Sequence, residues 1–191
     1  RRSERLIVLL PGRHSKPEEF QREGLVREIE RDLAPVDVVA ADAHVGYYLE
    51  GSFLESLADD VLKPARRAGF RDVWIVGTSL GGGGALAALH ARPDLVDGVV
   101  LLGPYLGSRD VLARVRRYGR RIGSAPPPAD PREVFFERTW AWLQEPDPAR
   151  APILLGWASR DVTPSRPVNL VGQLHARISE RVADPLTVTA L

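Results

Sequence analysis

A serine between two glycines, in the run Gly77-Thr78-Ser79-Leu80-Gly81, has the types and spacing of an enzyme nucleophile. The G-x-S-x-G pattern lets the chain leave a strand through a tight, strained turn that exposes the serine hydroxyl at the sheet edge. The flanking residues fit that geometry. Val73 to Val76 is an apolar, β-rich run, and an alanine-rich stretch of helical propensity follows Gly81 to Leu89. Ser79 then opens a helix whose free N–H groups and positive dipole end favour a developing oxyanion. A plainer role for the same turn is a glycine-rich loop that packs the helix on the sheet or cradles a phosphate. No Gly-Lys-Ser/Thr follows, which excludes a P-loop, and no G-x-G-x-x-G falls where a dinucleotide site needs it.

Three other segments carry compatible chemistry. In Pro11-Gly12-Arg13-His14 the glycine lets the backbone approach a substrate, and the N–H of Arg13 can point at the same oxyanion as that of Leu80. Asp161 follows an apolar run ending in Gly156-Trp157, where a carboxylate can orient an imidazole. Tyr105, after Gly103-Pro104, is placed to line a pocket with Gly12 and His14.

These segments need elements to hold them. Leu6 to Leu10 reads as a strand buried on both faces, and Pro11-Gly12 stops it. One helix is predicted from Lys16 to about Leu33, with Phe20, Leu25, Ile29 and Leu33 on one side. Val36 to Ala41 is the second strand, with residues 42–48 as its C-terminal loop. Ser52 and Glu55 form a capping box for a helix through Ala68, which Pro64 can kink. Val73–Val76, Val99–Leu102 and Ile153–Trp157 are further strands. A helix from Ser165 or Pro167 to about Ser179 leads to a last apolar stretch, Leu186 to Leu191. Strands alternating with helices predict an α/β domain with a mostly parallel sheet, whose sites lie at the carboxyl ends of the strands. Residues 106 to about 150 interrupt the rhythm with two helix candidates around Pro126-Pro127-Pro128, long enough to be a lid or cap. Trp140 and Trp142 are candidates to line a pocket under it, but two apart they face different sides of a helix, so at most one of them is expected to do so and the other to pack or be exposed.

Composition bounds the partners. The 191 residues fit a single domain, with 44% hydrophobic content and a net charge of +1. There is no global field for nucleic acid or an anionic membrane, and the arginines at 114, 116, 117, 120 and 121 read as a solvated helix face without interleaved aromatics. The absence of cysteine rules out disulfides and thiolate chemistry. Asp42 and His44 lack a third ligand at metal-binding spacing, so neither metal nor cofactor is expected. The apolar strand after Arg5 is too short for a signal core or membrane span, and a cytoplasmic location is expected.

The runs LLPGR (Leu9–Arg13), GTSLGG (Gly77–Gly82), LLGPYLG (Leu101–Gly107) and ILLGWASRDVTP (Ile153–Pro164) resemble the α/β-hydrolase family in order and spacing. The resemblance implies a nucleophile at Ser79, an acid at Asp161, oxyanion donors at the backbone of Arg13 and Leu80, and a helical lid at about 106–150. It implies a serine hydrolase for a small-molecule carboxylic ester or thioester. An acyltransferase using the same site, and a non-catalytic binding module on the same fold, are the alternatives. The family's histidine follows the acid in chain order. His175 follows Asp161 but falls within a predicted helix; His44 reads as a structural hydrogen-bond former, and His90 is three turns from Ser79. The catalytic histidine and the last helix are therefore expected beyond Leu191, and the chain ending there is expected to be poorly active.

Overall fold

The computed structural model describes residues 3–145, 147, 151–156, 158–161 and 187–190. Five strands, β1 (Arg5–Leu10), β2 (Asp37–Ala40), β3 (Asp72–Thr78), β4 (Gly98–Leu102) and β5 (Ile153–Gly156), form a parallel sheet in the order β2-β1-β3-β4-β5. The chain goes from β1 outward to β2, then returns to the other side of β1 as β3. The direction of winding thus reverses at the β1/β3 crevice, where open α/β sheets place their ligands. Leu10 pairs with Gly77 in register, so the two strands end together and Gly12 and Ser79 emerge side by side.

Alternation along the strands feeds two layers of core. Leu6, Val8, Leu10, Val73, Ile75, Val99 and Leu101 point to one face, against Phe53, Leu57, Leu62, Leu86 and Leu89. Ile7, Leu9 and Val76 meet Phe20 on the other, with Leu25, Val26 and Ile29 packed around them.

The helices differ from expectation at identifiable residues. The predicted helix from Lys16 to Leu33 is two helices, α1 (Glu18–Arg22) and α2 (Leu25–Leu33), because Gly24 between them takes φ 86°; Leu33 is 43% exposed. Residues 45–48, expected in a loop, begin α3 (Val45–Glu50): the Nδ1 of His44 accepts the Gly46 N–H at 3.1 Å and caps it. The histidine is structural as expected, and that nitrogen is committed to the cap rather than to a metal.

Ser52 stands at the N-cap of α4 (Phe53–Leu57) with no side-chain cap bond, so the predicted capping box does not form. A π-turn at Ala58–Leu62 then leads into α5 (Lys63–Arg67). Pro64 explains that widening, since its ring has no N–H and collides with the carbonyl four residues back in a regular helix.

α6 (Leu80–Ala91) follows β3 and is buried from Leu80 through Leu89, as expected of a helix apolar on all sides. Between β4 and β5 lies a helical insertion of α7 (Arg109–Tyr118), 3₁₀ turns at Gly119–Ser124 and Pro131–Glu133, and α8 (Val134–Leu143). α7 ends at Tyr118, where Gly119 takes φ 53°, so Arg120 and Arg121, expected on the same helix face as Arg114, lie in the 3₁₀ turn. Ala158–Asp161 forms β6, paired antiparallel with β7 (Thr187–Ala190) as a separate two-stranded ribbon. Trp157, His175 and the helix expected near residues 165–179 lie outside the described residues.

Candidate active site

The site grows from the β3–α6 turn. Ser79 takes φ 48° and ψ −114°, and among the described residues it is the non-glycine residue with positive φ. Such a conformation costs about 1–3 kcal/mol and persists only where neighbours over-determine it. Here they do. The Ser79 N–H donates to the Leu102 carbonyl at 3.1 Å, and the Ser79 carbonyl accepts from Tyr105 N–H at 2.7 Å and Gly82 N–H at 3.0 Å. Both backbone polar groups are thus held by β4, its following loop and the first turn of α6, while the residue remains exposed.

The glycines make this close approach possible. A Cβ on Gly77 would strike the Gly81 carbonyl, and one on Gly81 would strike the carbonyl oxygens of Leu10 and Pro11. The turn therefore lies directly on the β1 loop. A Cβ built on Gly12 would stand 3.4 Å from that of Ser79. The N–H groups of Arg13 and of Leu80, the first helical residue, have no hydrogen-bond partner among the described residues.

Ser79 opens into a cavity of about 550 Å³ that is also lined by Arg13, His14, Leu80 and Tyr105. Gly12 lies behind it rather than on its surface. One wall is Val45, Tyr48, Leu49, Phe53 and Leu54 from α3 and α4; the insertion supplies Asp130, Arg132, Glu133, Phe135 and Phe136. Tyr105 is 40% exposed and stands edge-on to Phe136, ring centres 5.1 Å apart. Partial burial, then the nearby Glu133 carboxylate, push the Tyr105 phenol above its ordinary range, and the Arg13 guanidinium opposes them. Tyr48 stacks on Phe53 at 4.1 Å; burial alone drives its phenol well above the ordinary range, and its hydroxyl has no hydrogen-bond partner. Arg132 is held by Asp130 through Nε at 2.9 Å and Nη2 at 2.6 Å.

Other expectations resolve differently. Neither Trp140 nor Trp142 lines the cavity. Trp140 donates its indole N–H to the Leu106 carbonyl at 2.9 Å, at the start of the insertion, and Trp142 stacks on His90 of α6 at 4.9 Å and so ties the insertion to the body. Phe135 and Phe136, on the same helix, take the role instead. Arg114 is not part of a solvated face: it pairs with Glu137, which is 6% exposed, and reaches the Pro126 carbonyl. Arg116, Arg117, Arg120 and Arg121 are exposed. Asp161 is the last residue of β6, opposite Thr187. Of the wall from α3 and α4, the sequence signalled the helix after Ser52 but not the one at Val45–Glu50, which depends on the His44 cap. Among the described residues no group of three or more acidic or histidine side chains is placed to hold a metal, and no helix is long and apolar enough to cross a membrane.

Comparison with known proteins supplies the context. No curated protein matches the chain. Among solved structures, Est1E from Butyrivibrio proteoclasticus with bound ferulic acid is 16% identical, covers 80% of this chain and 69% of its own, and has a TM-score of 0.52. A ferulic acid esterase is 20% identical over 76% of this chain and 60% of its own, with a TM-score of 0.49. A CIB-like hydrolase from Thermoplasma acidophilum is 22% identical over 53% of this chain and 52% of its own, at 0.43. The chain thus spans a little over half the length of the latter two. The sequence model described as "Alpha/beta hydrolase family" matches residues 7–188, nearly the whole chain. With a mostly parallel sheet, flanking helices and that match, the chain belongs to the alpha/beta hydrolase family.

Proposed function

We propose that Ser79 is the nucleophile of a hydrolase that cleaves a carboxylic ester or thioester through an acyl-enzyme. The observation that carries this reading is the φ of Ser79: strain held by hydrogen bonds from two elements, at a residue exposed in a cavity, is what presents a hydroxyl for attack.

In the first step the Ser79 Oγ adds to the carbonyl carbon and its proton passes to an imidazole. The N–H groups of Arg13 and Leu80 donate to the oxyanion. The tetrahedral intermediate collapses, the C–O or C–S bond breaks, and the leaving alkoxide or thiolate takes the proton back from the imidazolium. Water then repeats the sequence on the acyl-enzyme and releases the acid. The imidazole follows Asp161 in the chain, and Asp161 fixes its tautomer. His175 follows Asp161 in the sequence, within a stretch predicted to be helical. The insertion acts as the lid, since Phe135 and Phe136 already wall the cavity.

The test is turnover of p-nitrophenyl acetate. Ser79→Ala is expected to lower kcat by several orders of magnitude with the fold intact. Turnover unchanged by that substitution refutes the assignment.

A further inference from the structure

The apolar wall of the cavity is built in part by a helix that packs only its tyrosines, Tyr47 and Tyr48, against the core. No residue of α3 is buried, although its sequence VGYYLE is mostly apolar. Val45, Tyr48 and Leu49 line the cavity instead, and Leu49 leaves 52% of its surface exposed. Leu54 and Phe53 of α4 extend the same wall. The charged lining side chains lie elsewhere, on the β1 loop (Arg13, His14) and on the insertion (Asp130, Arg132, Glu133), and Asp130 and Arg132 neutralise each other. The cavity therefore has a mostly apolar side contributed by α3 and α4, and Ser79 lines the same cavity. A concave apolar surface of this kind is stabilised only when something apolar removes it from water.

We propose that the α3–α4 wall is the acyl subsite, and that the ester attacked by Ser79 carries an extended apolar acyl group, longer than acetyl, with Leu49 as a determinant of that preference. The proposal rests on the serine-hydrolase reading. Each methylene moved from water onto the wall contributes about 0.8 kcal/mol, which at 1.36 kcal/mol per tenfold is about fourfold in kcat/KM. The charged rim offers no such gain to an acetyl group.

The experiment compares p-nitrophenyl acetate with p-nitrophenyl hexanoate in the wild type, Leu49→Glu and Leu49→Met. Because Leu49 is half exposed, neither substitution removes core packing, and thermal melts verify it. In the wild type kcat/KM is expected to rise by up to about fourfold per added methylene. Leu49→Glu is expected to lower kcat/KM for the hexanoate at least tenfold, mainly through KM, and by a clearly larger factor than for the acetate, while Leu49→Met keeps the preference. Ser79-dependent turnover with no chain-length preference, or with equal losses on both esters in Leu49→Glu, overturns the subsite and leaves the hydrolase standing. Absence of Ser79-dependent turnover of either ester overturns the hydrolase. In that case calorimetric titration of Ser79→Ala with p-nitrophenyl hexanoate decides the subsite: binding lost on adding Leu49→Glu supports it, and no binding overturns it.

Discussion

Ser79 is expensive where it stands, and the cost measures how firmly the surrounding residues hold it. Replacing it with glycine relieves a backbone strain of about 1–3 kcal/mol, while glycine's extra freedom in the unfolded chain returns about 0.5–1 kcal/mol. Ser79→Gly is therefore expected to raise the unfolding free energy by about 1 kcal/mol in urea titration and to abolish turnover, whereas Ser79→Ala keeps the strain and leaves stability nearly unchanged. A loss of stability in the glycine variant would show that the turn is not strained. At this scale the sequence was readable because spacing encodes the turn: Gly77 and Gly81 each stand where an added Cβ would strike a neighbouring carbonyl. The cap on α3 was not readable, since a histidine before Val45-Gly46 can equally remain in a loop until its Nδ1 finds the Gly46 N–H.

At the scale of elements, α7 and α8 of the insertion are fastened to each other by the Arg114–Glu137 ion pair. Glu137 on α8 has 8% of its side chain exposed and Arg114 on α7 has 22%, with a second Arg114 bond to Glu137 at 3.2 Å. Removing the arginine leaves the buried carboxylate without its partner, while replacing both residues with apolar ones is often neutral. Arg114→Leu is expected to lower the midpoint of urea denaturation, and Arg114→Leu with Glu137→Leu to recover most of the loss. A double variant no more stable than the single one would contradict this account of the fastening. The strands were legible from their apolar runs, Leu6–Leu10 and Val99–Leu102 above all, because burial on both faces leaves little room for polar residues. Helix limits were less so: Gly24 and Gly119 end helices through positive φ, which periodicity does not register. The choice between Phe135 and Trp140 as cavity wall depends on how α8 meets α6, a long-range contact with no local signature.

For the whole molecule, the reversal of winding between β1 and β3 explains why segments far apart in sequence share one cavity. Leu10 and Gly77 end together, so the Arg13 N–H, the Leu80 N–H and the Ser79 hydroxyl are delivered to the same crevice. Membership of the family follows from the fold and from the match over residues 7–188; chemistry at Ser79 is the proposal built on it. Its most direct measurement is reaction of the full-length protein with a fluorophosphonate probe, read by intact and peptide mass spectrometry. An activated Ser79 Oγ attacks phosphorus and expels fluoride, so one adduct per chain is expected on Ser79, with none in Ser79→Ala. A chain that stays unlabelled, or that labels equally after Ser79→Ala, would contradict the account.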